Sequence, residues 1–304
     1  MTQIILSAFL PVFIVIALGY GVRASGYIPR ELWRGVNALN HRLLLPSFLF
    51  TLLAQARFDC GASLMIGGVS ALGSAIMIVL ALGLGRLVSN SGRITAPMIA
   101  SAVMWNIVLT LALADRLLGD AIASAGAAVS ATGVIIGAAA SVAGFALTSG
   151  RGLSAALSKT ARDPVVLACV LGLLANLSGL GRVTFLTAPI EMIGAGSMAV
   201  ILLSMGAGLD FKTLKGRIKV LLSAAILRTV IGPVVYLGLA LAFGLTGDLA
   251  VLMAIAGAAP AAAFIYAVAA DFDGEAGLTA GMITLTVLTS LITLPVAAAI
   301  ALSL

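Results

Sequence analysis

Residues 253–270 read MAIAGAAPAAAFIYAVAA, a nearly unbroken apolar run with Pro260 close to its centre. A proline inside a helix removes a backbone hydrogen bond and costs about 3 kcal/mol in water. In lipid no water repairs the loss, so the freed groups must be met by neighbouring protein or line a cavity. For a span starting at 248, Pro260 lies about 18 Å along a helix that rises about 1.5 Å per residue. That is near the middle of an apolar layer about 30 Å thick. The stretch therefore predicts a helix broken at mid-membrane; a simple proline kink repaired by its neighbours is the other reading of Pro260 taken alone.

Composition extends the membrane reading to the whole chain. Of 304 residues 62% are hydrophobic and 9% charged, and the mean hydropathy is +1.21. A soluble domain carries about 25% charged residues, so this chain has too few to cover a water-facing surface. The apolar stretches are long and lack the strict alternation of a β-barrel. They predict an all-α polytopic membrane protein. Ten spans are expected, near 2–23, 33–56, 63–86, 96–117, 121–148, 164–181, 188–208, 220–244, 248–270 and 276–302. The opening MTQIILSAFLPVFIVIALGYGV has neither a basic leader nor a small-residue cleavage site, and reads as a retained first span. Cys60 and Cys169 lie far apart without motif partners, so no disulfide, metal or redox role is expected.

The net charge of +6 belongs to loops that set topology and carries no nucleic-acid signal. With the N-terminus outside, 14 of the 17 Lys and Arg residues, Arg23, Arg93, Lys159 and Lys212 among them, fall on the inner side. Only Arg57, Arg116 and Arg182 remain outside. This bias predicts both termini outside. Asp271, Asp273 and Glu275 fall inside as well, but acidic residues contribute little to the rule.

The two halves of the chain resemble each other. LGYGVRASGY (18–27) lies over LGLLANLSGL (171–180), and GDAIASAG (119–126) over GEAGLTAG (274–281), at offsets of 153 and 155. Two repeats follow, 1–149 and 163–304, joined by the polar TSGRGLSAALSKTARD (148–163). Each holds five spans, an odd number, so the second enters the membrane upside down. Inverted repeats of this kind mark secondary transporters, whose substrate site lies at the midplane between the repeats. The same offset carries Pro260 back to Trp105, beside Asn106. Two helices interrupted at that depth expose N-terminal ends, whose free N–H groups and partial positive charge suit an anion.

These residues resemble the auxin efflux carrier family, which includes bacterial organic-acid permeases and plant PIN-type exporters. The resemblance runs from PVFIVIALGYGVRASGYIP and GVNALNHRLLLPSFLFTLLA, with Asn37 and Pro46, through LLSMGAGLDF (202–211), to AAPAAAFIYAVAADFDGEAGLTAGMITLTVLTSLITLPV (258–296). It implies ten transmembrane helices in a 5+5 inverted repeat, with broken, crossing helices 4 and 9. Helices 1, 2, 6 and 7 would form a scaffold, helices 3–5 and 8–10 a transport domain moving by an elevator mechanism. Pro260 matches the family's ninth-span proline. The fourth span departs: WNIVLTLAL holds Asn106 but no proline after it.

The substrate-binding residues expected are Asn106, Pro260, Ala261 and Gly257, with Ser47 and Thr51 on one face of the second span and Tyr266 beyond the proline. Each has a structural alternative. Asn106 could bond between helices, Ser47 and Thr51 could bond back to their own helix, and Tyr266 could be a packed or interfacial tyrosine. Glu191 and Arg228 are the candidates for coupling or gating, with Arg228 expected to snorkel toward the inner surface. His41, the only histidine, reads as interfacial, beside Arg42.

The expected function is secondary transport of small organic anions, malonate-, malate- or auxin-like carboxylates, across a bacterial inner membrane. An anion channel or pore is the alternative, disfavoured by the absence of charged rings and of a pore-loop signature. No enzyme motif is present, and no cofactor or metal is expected. Beyond the substrate, the partners expected are the bilayer, H+ or Na+ as coupling ion, and a second copy of the chain in an admissible homodimer. No carboxylate is expected at the midplane, which leaves carbonyls and hydroxyls as the groups able to hold sodium there.

Overall fold

The computed structural model describes residues 2–29, 31–58, 61–89, 91–119, 122–149, 152–214 and 217–304. Arg30, Cys60, Asp120, Arg151 and Lys215, which enter the charge, cysteine and repeat arguments, lie outside the described residues. Every regular element among the described residues is a helix. Among the described residues, six helical stretches are long and apolar enough to cross a membrane: Gln3–Ala24, Ala62–Val88, Ala123–Ser149, Thr184–Ala207, Ile218–Ala242 and Ala276–Leu302. The chain is a multi-pass membrane protein.

The first half runs through α1 (Thr2–Ala24), α2 (Leu32–Leu39), α3 (Leu45–Ala54), α4 (Ala62–Val88), α5 (Gly92–Val103), α6 (Ile107–Leu118) and α7 (Ala123–Ser149). The connection read as polar is partly helical, as α8 (Leu153–Ala161). The second half holds α9 (Pro164–Leu177), α10 (Thr184–Gly194), α11 (Ser197–Ala207), α12 (Ile218–Ile226), α13 (Gly232–Ala242), α14 (Asp248–Ala258), α15 (Phe264–Asp271) and α16 (Ala276–Leu302). Helix α9 stops earlier than its apolar run suggests. Gly179, at φ 77°, turns the chain after Leu177 into a short 3-10 turn, Leu180–Arg182.

Two prolines widen helices without breaking them. A π segment, Asn40–Leu44, joins α2 to α3 just before Pro46, and another, Leu227–Ile231, joins α12 to α13 just before Pro233. A proline ring cannot donate to the carbonyl four residues back. The chain answers with i→i−5 bonds, Leu45 N–H to Asn40 and Gly232 N–H to Leu227, the signature of a π-bulge.

Packing follows membrane chemistry. Leu6, Leu10, Ile14 and Leu18, spaced by four along α1, are each more than half exposed, an apolar stripe suited to lipid. On another face α1 meets α11 so closely that a Cβ on Gly206 would collide with the Ile16 carbonyl, and one on Gly19 with the Leu203 carbonyl. Small residues permit such approach where the hydrophobic effect does not drive association. Buried hydroxyls turn back on their own helices: Ser74, Ser141 and Thr229 each donate to the carbonyl four residues earlier.

Charges gather at helix ends. Arg23 donates through Nη2 to the Leu209 carbonyl at 2.6 Å, just past α11. Arg217 pairs with Glu275. Asp163 caps α9, accepting from the N–H groups of Val165 at 2.9 Å and Val166 at 3.4 Å, and faces His41 Nε2 at 3.0 Å.

Candidate functional site

The chain is interrupted at both places that the sequence offset pairs, around Trp105 and around Pro260. After Val103 it leaves the helix at Met104 (φ −96°, ψ 84°), and α6 starts behind Asn106 (φ −76°, ψ 92°). After Ala258 it extends at Ala259 (φ −60°, ψ 140°), and α15 starts at Phe264. The two extended pieces pair as an antiparallel bridge between Trp105 and Ala261. Asn106 N–H donates to the Pro260 carbonyl and Ala262 N–H to the Met104 carbonyl, each at 2.8 Å. These bonds flank Trp105 and Ala261, the narrow, non-hydrogen-bonded pair of an antiparallel ladder. Backbone groups freed from two helices thus satisfy one another, as a dry environment demands.

Asn106 locks the start of α6. Its Oδ1 accepts from Leu109 N–H at 3.0 Å, an N-cap, and its carbonyl accepts from Thr110 N–H at 3.1 Å. The amide nitrogen reaches the Met205 sulfur of α11 at 3.0 Å. The chain breaks between α5 and α6 without a proline because an asparagine cap and a partner strand supply what a continuing helix would have supplied. On the other side, Ala261 N–H donates to Thr286 Oγ1 of α16 at 3.2 Å.

Arg228 corrects the sequence expectation. It does not snorkel: its side chain is wholly buried. Its Nε donates to the Ala259 carbonyl at 2.7 Å, its Nη1 to Ala102 at 3.1 Å, and its Nη2 to Ala256. The guanidinium carbon lies 5.2 Å from the ring centre of Trp105 and 5.9 Å from that of Tyr236. Both rings meet edge to face at 5.5 Å, and Tyr236 OH and Ser74 Oγ share a hydrogen bond of 3.0 Å. The carbonyls it takes are those the breaks leave over. Ala256 would bond to the nitrogen of residue 260, which has no hydrogen. Ala102 would bond to Asn106 N–H, which is engaged with Pro260.

Asn106, Pro260, Ala261 and Arg228 therefore stand together. Gly257 stands beside them as a packing residue: a Cβ there would come within 2.6 Å of Pro233 Cα, and one on Gly232 would collide with the Gly257 carbonyl. Tyr266 is 48% exposed on α15. Thr51 lies on α3 and donates to the Ser47 carbonyl at 3.0 Å, the back-bonding alternative; Ser47, also buried, sits one turn before it. Glu191 is exposed on α10, its carboxylate 3.4 Å from Gln55 Nε2. His41 stacks on Phe264, the first residue of α15, with ring centres 5.6 Å apart.

Trp105, Tyr236 and Thr286 were missed as parts of the break. Trp105 had a signal, since the repeat set it opposite Pro260. Its Nε1 is buried with no hydrogen-bond partner. A cavity of about 490 Å³ opens elsewhere, lined by Phe50, Leu171, Leu174 and Leu186 of α3, α9 and α10. It is apolar and does not touch the break.

In the first turn of α6 the N–H groups of Leu109 and Thr110 go to Asn106, and in that of α15 those of Ile265 and Tyr266 go to the Ala262 and Ala263 carbonyls, so only part of each helix start keeps free donors. Around α15 the chain opens outward: Ala262 is half-buried and Ala263 exposed. The antiparallel register sets the start of α6 beside the end of α14 and the start of α15 beside the end of α5, and the α15 side is the more open of the two.

Residues 151–298 match the family model described as a membrane transport protein. The matched stretch includes Arg228, the 259–263 interruption and most of α16. No curated protein matches the chain.

Proposed function

The chain belongs, over residues 151–298, to the membrane transport family of the auxin efflux carriers, and we propose that it is a secondary transporter of small organic anions. The observation that carries the proposal is the pair of interruptions at 104–106 and 259–263, hydrogen-bonded to each other. Paired helix breaks are how transporters make a polar site inside an apolar layer.

The finer reading groups the helices into ten spans, α2–α3, α5–α6, α10–α11, α12–α13 and α14–α15 each counting as one. They form a 5+5 inverted repeat, with the transport half moving in an elevator-type cycle across a bacterial inner membrane. Contacts between groups assigned to a common side support this sidedness: Arg217 with Glu275 on the inner side, and Gln55 with Glu191 on the outer. The substrate is a carboxylate, malonate-, malate- or auxin-like, held by N–H groups at the starts of α6 and α15 and by Asn106. A negative-inside potential drives an anion outward by about 2.3 kcal/mol per charge per 100 mV, so export runs without a coupling ion.

The test is uptake of labelled monocarboxylates and dicarboxylates into liposomes holding the purified protein. Saturable flux of at least one is expected, and Asn106→Ala is expected to reduce it about tenfold or more, the scale of losing one well-placed group worth about 1.4 kcal/mol. Folded protein without saturable flux of any carboxylate overturns the proposal.

A further inference from the structure

Arg228 stands among three backbone carbonyl oxygens. The carbonyl oxygens of Ala102, Ala256 and Ala259 converge from the C-terminal ends of α5 and α14. Each helix C-terminus carries about half a negative charge, so two of them, buried together, hold roughly one. Oxygen ligands from unwound backbone and half-helix C-termini are the groups that coordinate Na+ in carriers with broken helices. Here the guanidinium takes all three oxygens, and the faces of Trp105 and Tyr236 add to its stabilisation. Its planar fork offers five donors in fixed directions. It is tethered to the π segment Leu227–Ile231 and so cannot leave with a substrate.

We propose that Arg228 is a built-in counter-cation, taking the place of a coupling sodium ion at the break, and that removing its guanidinium opens a site for a small cation. For what this site serves, the inference rests on the transporter reading. The consequence for that reading is a charge balance. With the C-terminal ends of α5 and α14 neutralised, the N-terminal ends of α6 and α15 keep roughly one positive charge between them, a match for a single carboxylate.

The experiment uses the full-length wild type, Arg228→Ala and Arg228→Lys, melted in detergent with choline, sodium or guanidinium chloride at equal ionic strength and non-denaturing concentration. The wild type is expected to melt at the same temperature in sodium as in choline. Arg228→Ala is expected to melt lower and to regain several degrees, saturably, with sodium or guanidinium but not with choline. Arg228→Lys, which keeps the charge, is expected to show no sodium effect. Saturable stabilisation of the wild type or of Arg228→Lys by sodium overturns the proposal, as does indifference of Arg228→Ala to both small cations. Should Arg228→Ala fail to fold, the wild type and Arg228→Lys decide. In liposomes, wild-type flux is expected to be unchanged when choline replaces sodium, and a sodium-dependent rate overturns the proposal. The melting arms need no flux, so a failure of the transport reading is seen separately.

Discussion

The backbone N–H of Asn106 donates to the carbonyl of Pro260 at 2.8 Å, tying together two breaks from opposite halves of the chain. This bond links two causes that differ. At 259–263 a proline removes a hydrogen bond outright. At 104–106 nothing in the covalent chain forbids a helix, yet the helix stops. The pairing of the two strands and the cap that Asn106 places on Leu109 are sufficient there.

A prediction follows for Pro260→Ala. The new N–H would face the Ala256 carbonyl, already taken by Arg228, while the bridge to Met104 and Asn106 stays in place. The break is therefore expected to persist, with a melting temperature within a few degrees of wild type and residues 259–263 still exchanging amide hydrogen faster than α14. Slow, helix-like exchange through 259–263 would show that the proline alone imposes the break.

What was legible in the sequence was the interruption and its counterpart, and the reason is local. Pro260 lies in an otherwise apolar run, and the repeat offset brings it within one residue of the true pairing, Ala261 against Trp105. The all-helical membrane architecture was equally legible, because composition alone excludes a soluble surface. Arg228 was not. A lone cation eight residues from Tyr236 and five before Pro233 gives no sequence sign that three carbonyls from two other helices will converge on it. Those carbonyls belong to Ala102, Ala256 and Ala259, whose side chains carry no polar signal at all. The role of Gly257 was hidden for a related reason: its partner is the backbone of Pro233, and backbone proximity leaves no trace in residue type.

Gly257→Val tests that packing role. Its first side-chain carbon would lie 2.6 Å from Pro233 Cα, and neither backbone has a flexible end to move. Overpacking of this kind costs about 1–3 kcal/mol, read as a lowered melting temperature. Because Gly232 and Gly257 meet each other, Gly232→Ala is expected to destabilise too, and the double variant to lose less than the two single losses added. Wild-type stability in Gly257→Val would mean that α13 and α14 are not held this close.

Asp163 supplies the pH prediction. Burial by itself would raise its carboxyl above the ordinary 3.8, but the hydrogen bond and charge of His41, with the N–H groups of Val165 and Val166, outweigh it and hold the group lower. A carboxyl held lower in the folded state stabilises that state at pH values above its unfolded value. The contribution fades as pH falls from there through the folded value. The wild type is thus expected to lose stability as pH drops below about 4, the unfolded carboxylate range. Asp163→Asn keeps a side-chain oxygen able to cap α9 but has nothing to titrate. It is expected to start less stable at neutral pH by about 0.3–1 kcal/mol, the scale of losing a negative charge at a helix N-terminus, and to show a shallower acid loss. Melting curves of both proteins from pH 7 downward check the sign, and parallel acid losses in the two would remove Asp163 as the titrating group.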